Sequence, residues 1–503
     1  MLAMRHALDR APGLGAVTAA MLLVHLAVAG RYDFFRDELY FIVCGRHPAF
    51  GYVDQPPLVP LLAAATQAFG RSLWLLRLPA ALAAAALVPL TAALARLVGG
   101  DSGAAVIAGA ASAIAPVLIG LSATLFTSSF DALAWTALAY FVARALVRDD
   151  DRALLWAGLI AGVAFQIKYG VALWLIGLAL GLALTPERRL FRRRALWLGA
   201  LLALLIALPN LLWQTGEGWP FLEVAANHAR DNLTGSPLYF LVHQIFLVNP
   251  FVAPLWAAGL IVPFIVPELR PLRFLPIAWL TAAILVWGSH GKDYYLAAAY
   301  PTLFAIGAVA AMRLWLWLRV ILVAGAVALS LVALPIALPV LSPDRLGRYL
   351  AQMPLRPRPD QEASVGAPLT QLFSDQFGWR GLEQTVARAY HALPPAELGR
   401  AVILTRNYGQ AAALDFYGRA DGLPPATSGH NQYYLWGPHP ADREALILVG
   451  QPAARWRARC ARLDVIARPA NPYTMPYEKG PVLVCHGFAG DIAKAWPRIK
   501  FYY

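Results

Sequence analysis

The chain has few charged residues for its length. Only 14% of its 503 residues are Asp, Glu, Lys or Arg, whereas a soluble globular protein carries about 25%. The deficit lies before about Val340, where long apolar runs follow one another. Apolar runs of about 20 residues have the length that crosses the apolar part of a bilayer. The shortage of charge therefore excludes a wholly soluble protein and predicts a polytopic membrane protein.

Cysteine is also scarce. The three cysteines are Cys44, Cys460 and Cys485, and their spacing fits no zinc site. Cys460 and Cys485 both lie in the more polar C-terminal segment. If that segment lies outside the cytoplasm, they are able to form a disulfide. Two free thiols are the alternative, and the sequence leaves both open.

The net charge of +13 does not favour a nucleic-acid partner. Much of the basic charge sits in short loops beside apolar runs, such as the arginines of residues 188–194. Basic loops of this kind mark the cytoplasmic side of a membrane protein and face anionic lipid. Membrane lipid is therefore the expected partner of these charges.

Eleven apolar runs predict about eleven transmembrane helices. They cover residues 14–30, 73–98, 103–126, 131–147, 153–167, 170–185, 195–213, 238–266, 274–288, 295–312 and 319–340. The run at 238–266 is too long for one straight span and contains Asn249-Pro250, so we expect a kink there.

The charge distribution predicts the orientation of these helices. With a cytoplasmic N-terminus, nearly every arginine-rich loop falls inside, as the positive-inside rule requires. The connections 31–71, 127–131, 168–169, 213–237 and 289–294 then fall outside. An odd number of spans also places the C-terminal segment outside the cytoplasm.

Two domains follow from this pattern: a transmembrane domain over residues 1–340 and a soluble, extracytoplasmic α/β domain over residues 341–503. The second domain contains strand-like apolar runs at 401–404, 445–449 and 482–485, with a helix predicted at 411–416. Alternation of strands and helices is typical of a small α/β layer.

Carboxylates are concentrated in the first external connection, which contains Asp33, Asp37, Glu38 and Asp54. Carboxylates near lipid are costly and usually have a function. Two of them can divide the work: one takes a proton from a nucleophile, while the other holds a metal ion or orients a partner. A solvated acidic loop is the simpler interpretation.

Two other external connections contribute cations. Lys168 lies at the outer end of a span, and Lys292 precedes Tyr294 and Tyr295. A cation near the outer leaflet suits a phosphate on a lipid carrier, although each lysine alone would also serve as a snorkelling anchor. His228, in the external connection 213–237, is a candidate metal ligand or base and, by the simpler interpretation, a surface residue.

The order of these motifs resembles the bacterial branch of the dolichyl-phosphate-mannose-protein mannosyltransferase family, glycosyltransferase family 39, which includes aminoarabinose transferases. The resemblance rests on the segments 36–40 (RDELY), 52–58 (YVDQPPL), 127–131 (TSSFD), 166–168 (QIK), 291–295 (GKDYY) and 300–301 (YP). It implies a GT-C fold and an integral-membrane glycosyltransferase that uses a polyprenyl-phosphate sugar. Segments 407–417, 428–433 and 435–438 also resemble tails of bacterial members.

The resemblance also implies roles for residues of the first loop. Asp37, with Glu38 beside it, occupies the position of the acid/base group. Asp54 is at the position linked to metal binding or positioning, and His228 loosely resembles a metal-associated histidine. A divalent metal ion is therefore a possible cofactor. Gln55 replaces a lysine of the aminoarabinose transferases, which places that substrate in doubt.

The remaining predicted site residues concern the donor. Lys168 and Lys292 align with basic residues expected near the lipid phosphate, and Tyr294 and Tyr295 accompany Lys292. Asp131 is at a position where the family often has an Asp that opens a span. We assign the two lysines and the two tyrosines to binding of the donor phosphate. Asp131 and Gln55 are assigned to other substrate contacts.

The function expected is transfer of a sugar from a polyprenyl phosphate to a lipid, protein or glycan acceptor at the outer face of the cytoplasmic (inner) membrane. No glycine-rich phosphate loop lies between a strand and a helix, as expected for a donor without a nucleotide. The main alternative is a transporter or lipid flippase, which usually has ionisable residues and broken helices at mid-membrane. A membrane-anchored glycan-binding protein would leave the Asp37 loop without a role.

Overall fold

The computed structural model describes residues 13–231, 235–353, 366–438 and 445–503. The chain forms two compact units. The first contains Met1–Gly30, Trp74–Trp213 and Asn232–Val340, and the second contains Arg31–Leu73, Gln214–Asp231 and Leu341–Tyr503. One division between the two units falls between Val340 and Leu341, where the sequence predicts a domain boundary. However, residues 31–73 and 214–231, predicted to belong to the transmembrane domain, group with the C-terminal segment.

Each of the eleven predicted spans contains helix. The α-helices in these runs are Leu14–Val28, Leu73–Leu97, Ser102–Ile114, Pro116–Leu121, Asp131–Val147, Arg152–Phe165, Val171–Ala183, Arg194–Gly216, Pro237–Val248, Ala253–Ile265, Phe274–Gly288, Tyr300–Ala311 and Leu316–Ala337. Short 3-10 helices are found at Thr127–Phe130, Pro186–Arg192, Pro267–Leu272 and Asp293–Ala299.

The number of membrane crossings is smaller when it is judged by helix length. Within the described residues, five helices are long and apolar enough to cross a membrane, and up to seven if each of two bent pairs forms one span. Four of the predicted runs contain shorter apolar helices of 10–17 residues: Leu14–Val28, Ser102–Ile114, Arg152–Phe165 and Phe274–Gly288. The count of eleven therefore stays a prediction, whereas the multi-pass helical architecture is present.

The expected kink in the run 238–266 is present. Helices Pro237–Val248 and Ala253–Ile265 meet at an angle of 117°. Asn249 between them has a positive φ of 88°, which is uncommon for a residue other than glycine. Its side-chain amide donates to the Ala326 carbonyl and the Ser330 hydroxyl, both at 2.8 Å. These contacts satisfy the buried side-chain amide of Asn249 and join the break to helix Leu316–Ala337.

Small residues allow close helix packing in the first unit. A Cβ atom at Gly307 would overlap the backbone carbonyl of Leu255, and one at Gly181 would overlap that of Phe274. Such close backbone approach is how helices associate in membranes, where burial of apolar surface supplies little driving force. The Gly307 contact fixes helix Tyr300–Ala311, whose preceding segment contains Tyr294 and Tyr295.

Two loops that the charge pattern places on the cytoplasmic side contact each other. Arg193 forms ion pairs with Asp149 and with Asp151, the latter at 2.8 Å. The loops around residues 148–152 and 188–194 therefore lie at the same end of the first unit, as the predicted topology requires.

The second unit contains a five-stranded sheet, as the α/β prediction requires. Its strands are β1 (Val402–Thr405), β2 (Ala426–Ser428), β3 (Ala445–Val449), β4 (Cys460–Ala467) and β5 (Val482–Phe488), in the order β2-β1-β3-β5-β4. β1 pairs in parallel with β2 and β3, and β5 is antiparallel to β3 and β4. β1 and β3 are buried at every position, and this explains their continuous apolar runs.

The helices of the second unit surround this sheet and include both segments from the first two-thirds of the chain. They are Arg36–Arg46, Leu58–Gln67, Pro220–Asp231, Pro343–Gln352, Gln371–Ser374, Trp379–His391, Pro395–Leu398, Tyr408–Tyr417, Gln432–Trp436 and Ile492–Ala495. The long helix Arg194–Gly216 ends at the boundary of this unit.

Hydrogen bonds explain why residues 31–73 and 214–231 group with the C-terminal segment. The Val53 N–H donates to Oε1 of Gln432 at 3.1 Å, and the Asn227 amide donates to the Tyr502 carbonyl at 2.6 Å. Lys500 forms an ion pair of 2.6 Å with Glu223. These polar connections between predicted spans therefore fold as part of the second unit.

A disulfide joins Cys460 and Cys485. Of the two interpretations that the sequence leaves open, a disulfide or two free thiols, the structure confirms the disulfide. It links edge strand β4 to β5 and closes a sequence separation of 25 residues. A cross-link of this loop length limits the unfolded chain and typically stabilises a fold by about 3 kcal/mol.

Replacing Cys460 and Cys485 together by serine is therefore expected to lower the thermal midpoint of the second unit. The measurement is thermal unfolding followed by circular dichroism, with and without dithiothreitol. The reductant should lower the midpoint of the native chain and leave that of the double variant unchanged. Equal midpoints for both proteins would contradict a stabilising disulfide.

Candidate functional site

Helix Arg36–Arg46 presents the Asp-Glu pair of the first loop. Phe35 precedes it with an extended backbone, and Oε2 of Glu38 accepts the Phe35 N–H at 2.8 Å. This contact satisfies one of the free amides of the first turn, as a capping-box glutamate does. Glu38 is fully buried. We therefore assign Glu38 to capping and keep Asp37 as the acid/base candidate.

Two side chains hold the carboxylate of Asp37. The Tyr408 hydroxyl donates to Oδ1 of Asp37 at 2.7 Å, and Nε of Arg36 lies 3.6 Å from the same oxygen. The Asp37 side chain is 15% exposed. The carboxylate is thus fixed in orientation but still accessible, which a group that exchanges protons with a substrate requires.

A buried network fixes Arg36 in turn. The Arg36 backbone N–H donates to the Asp375 carbonyl at 3.0 Å, and its guanidinium donates to the Tyr477 hydroxyl. That hydroxyl donates to Oδ1 of Asp375 at 2.7 Å. The C-terminal segment therefore supplies the groups that position a permanent positive charge beside Asp37.

Asp54 is linked to Asp37 through two tyrosines. The Tyr40 hydroxyl donates to Oδ1 of Asp54 at 2.9 Å and accepts the Gln432 N–H at 3.1 Å. The rings of Tyr40 and Tyr408 lie 4.5 Å apart, and Tyr408 contacts Asp37. The structure thus brings the two predicted carboxylates into one cluster, which two hydrogen bonds and one contact between aromatic rings hold together.

The environment of Asp54 alters its protonation. Burial raises the pKa of its carboxyl to about 7, the hydrogen bond from Tyr40 opposes this shift, and the charge of Asp37 acts in the same direction as burial. Near neutral pH, Asp54 therefore exists as a mixture of the protonated and ionised forms. Such a group can either donate or accept a proton.

Gln55 follows Asp54 and is 3% exposed. Its carbonyl accepts the Tyr52 N–H at 2.9 Å, whereas its side-chain Nε2 is buried without a hydrogen-bond partner among the described residues. A buried amide without a partner costs free energy. Gln55 therefore has a side-chain donor that no described residue uses, and its assignment as a substrate contact stays a prediction.

His228 lies on helix Pro220–Asp231, with its ring 4.4 Å from that of Tyr503. In the described parts of the chain, no three His, Cys, Asp or Glu side chains are grouped so that they could hold a metal ion. A divalent metal at Asp54 and His228 stays a prediction, and we derive no chemical step through it.

A second cluster of predicted residues forms in the first unit around Lys168. Its Nζ lies 3.0 Å from Oδ2 of Asp131 and donates to the Ser128 hydroxyl at 2.6 Å. The same ammonium group is 4.2 Å from the centre of the Tyr295 ring, a cation–π distance. Two connections predicted to be external, 127–131 and 168–169, therefore meet at one point with Tyr295, which directly follows the connection 289–294.

A cavity opens beside this cluster. Its polar lining consists of Ser122, Ser128, Ser129, Asp131, Tyr294 and Tyr295, and the other lining residues are Ala and Leu. The lining thus combines hydroxyls, a carboxylate and apolar surface, with Lys168 in contact with three of its members, Ser128, Asp131 and Tyr295. Such a combination suits a ligand with an anionic group and an apolar chain.

The segment that contains Lys292 is fixed by a hydrogen-bonded pair, His243 and Asp293, that the sequence does not predict. Lys292 immediately precedes the 3-10 helix Asp293–Ala299. Nδ1 of His243 hydrogen-bonds the Asp293 carboxylate, and the Gln244 amide donates to the Asp293 carbonyl at 3.3 Å. These contacts hold Tyr294 and Tyr295 in place at the cavity.

Comparison with known proteins identifies what this arrangement resembles. Residues 54–213 match the family described as dolichyl-phosphate-mannose-protein mannosyltransferase. Lipid A galacturonosyltransferase RgtD from Rhizobium johnstonii is 30% identical over 242 residues, which are 45% of this chain and 49% of that protein. The alignment thus spans about half the length of this curated relative.

Solved structures of ArnT from Cupriavidus metallidurans are similar over nearly the whole chain. The structure bound to undecaprenyl phosphate is 16% identical, with a TM-score of 0.60 and coverage of 94% of this chain and 97% of that one. The apo structure is 17% identical, with a TM-score of 0.63 and coverage of 95% and 98%.

These comparisons define a class of protein. The chain is a multi-pass membrane protein with the GT-C fold. The match of residues 54–213, together with the relative RgtD, confirms the resemblance to glycosyltransferase family 39 that the sequence motifs predict.

Proposed function

We propose that this protein is an integral-membrane glycosyltransferase that moves a sugar from a polyprenyl phosphate to an acceptor hydroxyl. The observation that supports this most directly is the Lys168 cluster, where an ammonium group, hydroxyls and an apolar cavity lie together. A protein of the same fold was solved with undecaprenyl phosphate bound, a ligand with this combination of anion and apolar chain.

The first unit is assigned to the donor. Lys168 binds the phosphate, and Tyr295 contributes its hydroxyl, with Lys292 as a second cation on the neighbouring segment. When the bond between the anomeric carbon and the phosphate oxygen breaks, the phosphate gains negative charge. An ammonium group placed there stabilises that charge most in the transition state.

The second unit is assigned to the acceptor. The acceptor oxygen attacks the anomeric carbon as the phosphate leaves, and the hydroxyl proton goes to Asp37. Tyr408 and Arg36 hold the Asp37 carboxylate in place. One direct displacement of this kind inverts the anomeric centre.

The proposal also includes the side of the membrane on which the reaction takes place. The disulfide Cys460–Cys485 supports an oxidising location for the second unit, because disulfides persist outside the reducing cytoplasm. The positive-inside pattern supports the same side for the first loop. We therefore place the reaction at the outer face of the cytoplasmic membrane, with a lipid, protein or glycan as acceptor.

The test is a transfer assay with the purified protein in proteoliposomes. Radiolabelled polyprenyl-phosphate sugars are supplied with lipid, peptide and glycan acceptors. The expected result is labelled acceptor and an equal amount of free polyprenyl phosphate. Movement of intact donor between leaflets, without transfer to any acceptor, would overturn the proposal in favour of a flippase.

Tyr408→Phe removes one hydroxyl that donates to Asp37. We expect about a tenfold lower kcat, because a hydrogen bond to a charged group contributes about 1.5–3 kcal/mol. The KM for the donor should be unchanged.

Tyr417→Phe is the matched control for this variant. Tyr417 lies on the same helix and donates to Oδ1 of Asp33 at 2.8 Å. Loss of the Tyr417 hydroxyl should leave kcat unchanged. Equal effects of both substitutions would show that the Tyr408 hydroxyl acts only on the stability of the second unit.

A further inference from the structure

We propose that the second unit contains a binding site for the phosphate of a membrane lipid, formed by Arg46, Arg71 and Arg419. This site is separate from the proposed chemistry, because none of its members is assigned to the donor or to the acid/base group. Two of the three arginines flank the connection 47–70, and the third follows helix Tyr408–Tyr417.

The arginines converge on one aromatic ring. The guanidinium carbons of Arg46 and Arg71 lie 5.4 and 4.9 Å from the centre of the Phe416 ring. Phe416 is fully buried, and the three arginines are exposed. Because each guanidinium is attracted to the same π-system, the ring holds the two cations close together.

The third arginine lies near enough to act on this pair electrostatically. Partial burial lowers the pKa of the Arg46 guanidinium, the charges of Arg419 and then Arg71 lower it further, and the charge of Asp415 opposes this shift. In the described parts of the chain, no hydrogen bond or ion pair engages any of the three guanidinium groups. By contrast, Arg193 is paired with two carboxylates.

The nearby acids only partly compensate these charges. Asp415 accepts hydrogen bonds from the Ala426 N–H at 2.8 Å and the Tyr433 hydroxyl at 2.7 Å, and burial raises its pKa to about 6. Burial also raises the pKa of Glu383 to about 7. Three permanent positive charges therefore lie near three acidic side chains, Asp415, Glu383 and Asp421, of which the first two are partly protonated near neutral pH.

The ligand chemistry follows from the donors. A guanidinium presents N–H groups in a fork that matches two phosphate oxygens. An anion bound between the three arginines would replace mutual repulsion by charge-assisted hydrogen bonds. A phosphate group is thus the expected ligand.

The flanking surface indicates a lipid as the source of that phosphate. The connection between Arg46 and Arg71 contains the apolar helix Leu58–Gln67, and it exposes Phe50 by 66% and Phe69 by 85%. Exposed aromatic side chains next to basic residues are typical of surfaces that contact lipid headgroups and the adjoining acyl chains.

Binding of short-chain phosphatidylglycerol to the full-length protein in neutral detergent tests this site. The variant R46Q/R71Q/R419Q should bind at least about tenfold more weakly than the native chain. A matched variant, R455Q/R457Q/R468Q, removes the same charge from exposed arginines of the same unit and should bind within about twofold of the native chain. Equal weakening by both variants would reduce the effect to net charge and overturn the site.

Two further ligands separate the sources of phosphate. Short-chain phosphatidylcholine should bind more weakly than phosphatidylglycerol, because it has no net charge. Inorganic phosphate should bind more weakly than either lipid, because it has no acyl chains. Binding of inorganic phosphate as tightly as phosphatidylglycerol would overturn the lipid assignment.

If the variant binds no lipid, thermal unfolding shows whether it is folded. Without lipid, R46Q/R71Q/R419Q should unfold at the native temperature or above it, since the substitutions remove repulsion. Phosphatidylglycerol should raise the midpoint of the native protein but not that of the variant. A rise of the same size in both proteins would place lipid binding elsewhere.

Discussion

Asp37→Asn is expected to lower kcat for sugar transfer by about a thousandfold, within the range of general acid–base catalysis. Asparagine has nearly the same shape as aspartate, and its amide oxygen can still accept the Tyr408 hydroxyl. It cannot take the proton of an acceptor. The KM for the polyprenyl-phosphate donor should change little, because the donor is assigned to residues of the other unit. Single-turnover transfer of a radiolabelled sugar measures the chemical step directly.

Glu38→Gln is the control that separates chemistry from folding. Glu38 caps the same helix through the Phe35 N–H, and glutamine serves equally well at this position of a capping box. Transfer should therefore stay within about threefold of native. Equal transfer by native protein and Asp37→Asn would remove Asp37 from the mechanism, whereas equal losses in both variants would assign the pair to helix stability.

The sequence predicts those features of this fold that depend on neighbouring residues. Apolar runs identify the helices of the first unit, because each run by itself has the length and composition of a span. Continuous apolar stretches likewise identify β1, β3 and β5. Two strands were missed for local reasons: β2 has three residues, and β4 is an edge strand with Val465 62% exposed.

Contacts between distant residues could not be predicted in this way. Tyr408 is 371 residues from Asp37 along the chain, and neither the spacing nor the polarity of residues 407–417 indicates that contact. The same limit explains why residues 31–73 and 214–231 looked like external loops of the membrane domain. Their partners, Gln432 and Tyr502, lie near the C-terminal end of the chain.

The capping role of Glu38 illustrates the opposite limit. An Asp-Glu pair in an external loop predicts two acidic groups that are equally accessible. Only the structure shows that one of them is turned back to the first turn of its own helix and buried, while the other contacts Tyr408. Helix capping decides which carboxylate remains accessible, and a sequence with Phe35 before the helix gives no cap signal of the usual Ser, Thr, Asp or Asn type.

Lys168→Met is expected to lower kcat by about a hundredfold or more, the loss seen when one group that stabilises transition-state charge is removed. Methionine keeps most of the length of the side chain and removes the ammonium group. The same change leaves Asp131 without its ion-pair partner, and both side chains are largely buried, with exposures of 18% and 11%. Loss of one member of a buried pair costs about 3 kcal/mol or more, so the thermal midpoint should fall as well.

The double variant Lys168→Met/Asp131→Asn separates these two effects. Neutral asparagine does not need a cation, so the thermal midpoint should recover towards the native value. Transfer should not recover, because the leaving phosphate still lacks the ammonium group. If the double variant regained both stability and transfer, Lys168 would serve only to neutralise Asp131, and the donor phosphate would have to be bound by other groups such as Lys292. Asp131→Asn alone completes the cycle: it leaves Lys168 charged, and transfer should persist wherever the protein remains folded.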